Sequence, residues 1–248
     1  MSGGAGGAIA LVGSGEYLPV MDDIDRALLA TLPPGAKLAL LPTASGLEPG
    51  SPARWNALGE RHFAALGAST LPLFLLQRDD AYDEAILAAL RDAQFFYFSG
   101  GNPNHLVETL QGTPAWASIR RAIAGGAAIA GCSAGAMMLG GYTIRLRDTL
   151  AGRAPAWTPA LGVVPQVAVL PHFDRFAGRF GSAALQQLTD GAPEELIVLG
   201  IDEDTALVRL RPGDPWRVAG RQTVAIFRAG RPVEVLQPGD TVDLDGAR

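Results

Sequence analysis

Ala127-Ala128-Ile129-Ala130-Gly131-Cys132-Ser133-Ala134-Gly135-Ala136-Met137-Met138 decides the reading of this chain. Residues 127–131 form a short apolar run, and Gly131-Cys132-Ser133-Ala134-Gly135 satisfies the G-x-S-x-G pattern. A buried strand running into that turn, with a helix-compatible segment after it, is the context in which the pattern marks a nucleophile. The reason is steric. A nucleophile on so tight a turn has strained backbone angles, and side chains two residues to either side would clash. Glycines at 131 and 135 let the turn close and expose the Ser133 hydroxyl at the end of the sheet. The N–H of Ala134, at the start of the following helix, is placed to donate to a developing oxyanion. A Gly-Ser turn serving only close packing is the competing reading, and the strand-turn-helix context weighs against it. Cys132 stands one position early for a nucleophile and reads as a buried structural cysteine.

Outward from the elbow, short apolar runs alternate with Ala/Leu-rich helical stretches. Residues 8–12, 37–41, 70–75, 94–98 and 127–131 read as strands, and 22–32, 52–66, 83–92 and 114–124 as helices. Strands apolar throughout and separated by helices predict a mostly parallel sheet with helices on both faces. Ligands of such sheets bind beyond the carboxyl ends of the strands. Gly13–Glu16, Thr43–Gly46, Ser99–Asn102 and Ser133 all fall on that rim. After about Asp202 the character changes to short strands at 205–209, 216–218, 223–227, 233–235 and 241–244. Residues 1–248 therefore read as one α/β domain, with 205–248 its antiparallel, β-rich extension.

The glycine pair after strand 94–98, in Ser99-Gly100-Gly101-Asn102, lets a backbone amide approach a ligand closely. The second oxyanion donor is assigned to this pair, Gly101 first; a plain loop between strand and helix is the alternative. Serine needs a base, and histidine has the suitable unperturbed pKa. Of three histidines, His62 lies on the apolar side of a helix and His105 opens one. His172 follows strand 166–170 on the same rim as Ser133, and is the expected base. Glu203, at the end of the apolar run 196–201, is the expected orienting acid, with Asp148 the second choice. Asp174 is too close in sequence to His172 to orient it. A solvated loop carboxylate is the plain alternative for both.

Bulk composition excludes several classes. A 248-residue chain with 48% hydrophobic and 18% charged residues is an ordinary globular composition. A formal charge of -5, with the arginines scattered, lacks the basic stripe of a nucleic-acid binder. One cysteine permits no intrachain disulfide and no multi-cysteine metal site. Gly13-Ser14-Gly15 fails the dinucleotide fingerprint because Leu18 occupies its last glycine position, so neither cofactor nor metal is expected. No apolar run reaches the ~18 residues that span a bilayer, and no cleavable leader pattern is visible. The expectation is a cytoplasmic protein without a membrane partner. Its oligomeric state is left open, a homodimer being the assembly considered.

Taken together, Phe98-Ser99-Gly100-Gly101-Asn102, Gly131-Cys132-Ser133-Ala134-Gly135-Ala136 and His172-Phe173 resemble the serine peptidases that include dipeptidase E and cyanophycinase. Gly200-Ile201-Asp202-Glu203 is similar to the cyanophycinase branch, as is the strand-rich tail with Gly239-Asp240. The likeness spans nearly the whole chain. It implies a fold like that of class I glutamine amidotransferases, a flavodoxin-like three-layer sandwich, with serine replacing their elbow cysteine. It implies Ser133 and His172 as nucleophile and base, and Gly101 and Ala134 as oxyanion donors. It implies Glu203 as the acid in the cyanophycinase pattern, or Asp148 in that of dipeptidase E. The substrates it implies are small peptides carrying an aspartyl residue: dipeptides beginning with aspartate, or β-aspartyl-arginine units of cyanophycin.

Two departures bear on substrate. Asn102-Pro103 and Leu170-Pro171 stand where cyanophycinases usually carry Asp-Gln. Asn102, Arg175 and Arg179 are taken as substrate contacts, the arginines for a substrate carboxylate, with a surface salt bridge as the plain alternative. A non-catalytic binding protein on the same scaffold, or an esterase or acyl transferase using the same elbow, remains open, because the elbow reports acyl chemistry and not the leaving group.

Overall fold

The apolar runs at 8–12, 37–41, 94–98 and 127–131 become strands buried on both faces, which only a sheet covered from both sides allows, while the run at 70–75 becomes a partly exposed edge strand. In the computed structural model, residues 6–145, 156–175, 189, 191–193 and 195–244 are described. In chain order the strands and helices are β1 (Ile9–Val12), α1 (Asp22–Leu29), β2 (Lys37–Leu41), α2 (Ser51–Ala65), β3 (Ser69–Pro72), α3 (Glu84–Asp92), β4 (Phe95–Phe98), α4 (Pro103–Leu110), α5 (Pro114–Ala124), β5 (Ala128–Cys132), α6 (Ala134–Leu139), β6 (Tyr142–Ile144), β7 (Trp157–Pro159), β8 (Val167–Leu170), β9 (Ile197–Ile201), β10 (Thr205–Arg209), β11 (Trp216–Gly220), β12 (Val224–Phe227), β13 (Glu234–Leu236) and β14 (Thr241–Val242).

The main sheet has eight strands in the order β14-β11-β10-β1-β5-β4-β2-β3. Strands β1, β5, β4, β2 and β3 are mutually parallel, while β10, β11 and β14 continue the sheet antiparallel. Side chains alternate between the two faces. Ala10, Val12, Leu38, Leu40, Phe95 and Tyr97 meet Ile24 and Leu28 of α1 and Phe63 of α2 on one side. Ile9, Leu11, Ala39, Leu41, Phe96 and Phe98 meet α3, α4, α5 and α6 on the other. The helices begin where caps and prolines predict: Asp83 accepts from Ala85 and Ile86 N–H to start α3, and Thr113 caps α5 just before Pro114.

The second half differs from a simple extension. Strands β8, β9, β12 and β13 form a separate four-stranded sheet in the order β13-β12-β9-β8, with β8 and β9 parallel. The β-rich tail is thus divided, β10, β11 and β14 joining the main sheet and β12 and β13 the second. One of the crossings between sheets runs from β9 through Asp202, Glu203 and Asp204 into β10. Val167, Ile197, Leu199, Val224 and Ile226 belong to the same buried cluster as Leu11 and Ile129, so both sheets share a core. A further hairpin, β6 with β7, was not legible in the sequence.

Candidate active site

Register brings the site together before any side chain is considered. Cys132 is paired with Val12 and Gly131 with Phe98, so the loops after β1, β4 and β5 open side by side. In the second sheet Leu170 is paired with Gly200, which sets the residues after β8 beside those after β9.

The elbow has the strain its glycines imply. Ser133 sits at φ 52 and ψ -113, ahead of α6. A Cβ on Gly131 would lie 2.3 Å from the carbonyl oxygen of Gly135, and one on Gly135 would lie 2.3 Å from that of Phe98. Neither position has room for a side chain. Among the described residues the non-glycine positions of positive φ are Tyr17, Ser133, His172 and Asp204. All four lie just beyond the carboxyl ends of β1, β5, β8 and β9. Such conformations cost about 1–3 kcal/mol each and persist where surrounding structure over-determines them.

His172 holds its φ of 51 because Phe173 anchors the turn. The Phe173 ring is buried against Gly200, where any Cβ would meet it at 2.5 Å, and against Phe227 at 5.7 Å between centroids. From that anchor the His172 Nε2 lies 3.1 Å from Ser133 Oγ, and Nδ1 lies 2.7 Å from Glu203 Oε1. The backbone of Glu203 is pinned from three sides. Its N–H donates to Asp174 Oδ1 at 3.0 Å, and its carbonyl accepts from Thr205 Oγ1 and Gln222 Nε2, each at 3.0 Å. Glu203 is 16% exposed and His172 42%, so the carboxylate is sheltered while the imidazole faces the solvent side. Asp174 thus touches the backbone of Glu203 and not the imidazole.

Arg175 also reaches this group, its Nη2 lying 2.6 Å from Glu203 Oε2 with the side chain 75% exposed. Arg179 and Asp148 lie outside the described residues. His105 is occupied elsewhere, its Nε2 bonded to the carbonyl of Leu76 at 2.7 Å. His62 pairs with Asp25 at 2.7 Å, both side chains almost fully buried.

Of the two amides in the glycine pair, that of Gly100 donates to Glu16 Oε1 at 3.0 Å. Gly101 stands at φ 145, and a Cβ there would lie 2.4 Å from the Ala44 carbonyl. The next amide, that of Asn102, donates to the Ala44 carbonyl at 2.7 Å. The Gly101 N–H has no acceptor among the described residues, and the Ala134 N–H is a first-turn amide of the kind an α-helix leaves without an internal partner. Asn102 Oδ1 accepts from the N–H groups of Asn104 and His105 and so caps α4. Cys132 is buried, and burial foremost, then the Glu16 carboxylate, pushes its thiol pKa well up. Gly13 serves packing, since a Cβ on it would meet the carbonyl of Asp202 at 2.1 Å.

Among the described residues no cluster of histidine, cysteine, aspartate and glutamate is arranged to hold a metal ion, and no helix is long and apolar enough to cross a membrane. A cleft of about 420 Å³, lined by Ile24, Val208, Leu210 and Arg217 among others, contains none of the candidate site residues.

A hydroxyl on a strained turn, an imidazole within hydrogen-bond reach and a carboxylate behind it have the form of a serine-hydrolase site. The model of peptidase family S51 matches residues 9–211. Cyanophycinase from Trichormus variabilis is 30% identical over 205 residues, 77% of this chain and 63% of that protein. Cyanophycinase from Synechococcus elongatus is 32% identical over 201 residues, 77% of this chain and 58% of that protein. The matched regions thus span about three-fifths of the length of these curated relatives. The solved structure of a peptidase from an acI-B1 Actinobacterium is similar over 98% of each chain, with a TM-score of 0.85 and 34% identity. The chain belongs to peptidase family S51.

Proposed function

We propose that this chain is a serine peptidase that cleaves small aspartyl or β-aspartyl peptides through an acyl-enzyme on Ser133. The observation that carries the reading is the chain of contacts Ser133 Oγ, His172 and Glu203, at 3.1 and 2.7 Å. In the first step His172 Nε2 takes the Ser133 proton as Oγ adds to the substrate carbonyl. The oxyanion that forms is held by the amides of Gly101 and Ala134. His172 then returns the proton to the leaving amine, and the C–N bond breaks. Water, deprotonated by the same imidazole, releases the acid. Glu203 accepts from Nδ1–H, fixing the tautomer that leaves Nε2 free as base, and stabilises the imidazolium.

Aspartyl preference rests on the relatives and on charge. The matched curated relatives are cyanophycinases, and Arg175 brings an exposed guanidinium to within one carboxylate of the imidazole. Arg175 keeps donors beyond the one on Glu203, and a guanidinium suits a substrate carboxylate. Asn102 Oδ1 is engaged as a helix cap, so any substrate contact falls to its amide nitrogen. The test is turnover of a panel of α-aspartyl, β-aspartyl and neutral dipeptides and simple esters, with wild type and Ser133→Ala. Loss of all turnover in a folded Ser133→Ala, with aspartyl peptides cleaved best by wild type, is expected. Equal activity in Ser133→Ala would remove the nucleophile, and cleavage of esters alone would remove the peptidase.

A further inference from the structure

We infer that Glu16 is a positioning residue for the oxyanion pocket: by anchoring the Gly100 amide it turns the next amide, that of Gly101, toward the oxygen that develops beside Ser133. This rests on the acyl-enzyme reading above. Glu16 lies beyond the end of β1, and each of its oxygens ties down a different neighbour. Oε1 accepts from Gly100 N–H at 3.0 Å, in the loop after β4. Oε2 accepts from the Cys132 thiol at 2.9 Å, the residue immediately before the nucleophile. With its pKa pushed up by burial and by this carboxylate, the thiol keeps its proton and stays a donor.

Gly100 is held between Glu16 and the nucleophile. A Cβ built on it lies 3.1 Å from Glu16 Oε1 and 3.5 Å from Ser133 Cβ. The peptide that presents Gly101 N–H is therefore clamped at two points: before it by Glu16 on Gly100, and after it by Ala44 on Asn102 N–H, at 2.7 Å. Remove the first clamp and the Gly100-Gly101 peptide is free to rotate, because glycines restrain neither torsion. The backbone after Glu16 is built to keep it there. Tyr17 takes φ 64, a costly conformation for a side chain of its size. Its ring is fixed in the core, 5.0 Å from Tyr97 and 6.1 Å from Phe63 between centroids. A carboxylate beside a developing negative charge opposes catalysis unless it faces donors, and both oxygens here do so.

The test compares Glu16→Gln, Glu16→Asp and Glu16→Ala with wild type for the second-order rate of fluorophosphonate labelling at Ser133, whose phosphoryl oxygen must enter the same pocket. Steady-state kcat and KM are measured on one aspartyl dipeptide. Glutamine keeps an acceptor at the right length, so Glu16→Gln is expected within about threefold of wild type. Aspartate keeps the charge but is one methylene short, so Glu16→Asp and Glu16→Ala are expected to label at least tenfold more slowly. That is part of the 10²–10³-fold that losing one oxyanion donor costs. The loss should fall on kcat with KM within about twofold. Labelling at the wild-type rate in Glu16→Asp, or a loss confined to KM as for a side chain that binds the substrate amine, would overturn the inference. A lowered melting temperature with unchanged labelling would overturn it too, as a purely structural role. If Glu16→Ala does not fold, the Asp and Gln variants decide. A wild type that fails to label overturns the nucleophile assignment itself; a wild type that labels beside equally fast variants overturns this inference alone.

Discussion

Ser133 and His172 meet across two sheets: Oγ and Nε2 are 3.1 Å apart, although β5 belongs to the eight-stranded sheet and β8 to the four-stranded one. The crossing of the chain from the second sheet to the main one at Asp202-Glu203-Asp204 places Glu203 on the far side of the imidazole, at 2.7 Å. The proposed acid, base and nucleophile are therefore held by the junction between sheets and not by a single strand edge.

Glu203 should be the acid on which turnover depends. Glu203→Ala is expected to lower kcat by about 10³–10⁴-fold, since the imidazole loses the group that selects its tautomer. Asp148→Ala should stay within about threefold of wild type. Steady-state kinetics on an aspartyl dipeptide checks both, and a large loss in Asp148→Ala with a small one in Glu203→Ala would reverse the assignment.

Arg175 offers a test of substrate charge. Arg175→Ala is expected to raise KM for aspartyl dipeptides about tenfold while leaving KM for a neutral ester within about twofold. Equal effects on both would make Arg175 a partner of Glu203 and nothing more.

The elbow glycines should tolerate no methyl group. Gly131→Ala and Gly135→Ala each place a Cβ 2.3 Å from a backbone carbonyl oxygen that cannot retreat. Each is expected to lose more than about 3 kcal/mol in a denaturant melt or to fail to fold. Gly125→Ala is the control, since its Cβ comes no closer than 3.3 Å and its φ is ordinary. It should change stability by less than about 1 kcal/mol.

The legibility of these features in the sequence follows their range. The elbow could be read because its requirement is local: two glycines and a serine within five residues, after a strand. His172 could be read because few histidines compete and only one follows an apolar run on the rim. Glu203 could be read as a strand-end carboxylate, though nothing local separated it from Asp148. The division of the tail between two sheets was hidden, because β12 pairs with β9 and β11 with β10 through contacts that leave no periodic trace. The hairpin of Tyr142–Ile144 with Trp157–Pro159 was hidden by its three-residue strands. Glu16 looked like any loop carboxylate; only its two hydrogen-bond partners distinguish it.

Cys132 should be silent in the folded protein. Burial raises its thiol pKa well above the ordinary value, so at pH 7–8 the reactive thiolate is suppressed as well as shielded. A disulfide-exchange reagent should find no reactive thiol in the native protein and one per chain after denaturation. Fast stoichiometric reaction in the native state would show that the side chain faces the site.

His62 and Asp25 form a buried pair at 2.7 Å on the opposite side of the main sheet from the second sheet. Burial is the main cause raising the Asp25 pKa, and His62 offsets part of it. His62→Ala leaves the carboxylate without its partner and is expected to cost about 3–5 kcal/mol. A thermal or denaturant melt checks this, with a loss below about 1 kcal/mol contradicting it.

The central claim is that Ser133 and His172 act as one chemical unit, and a double-variant cycle tests it most directly. Turnover of one aspartyl dipeptide is measured for wild type, Ser133→Ala, His172→Ala and the double variant, each confirmed folded. Groups that work as a unit lose nearly everything when either is removed. The double variant is therefore expected to be no slower than the slower single variant. Losses that multiply, or a Ser133→Ala protein that still turns over at the wild-type rate, would contradict the account.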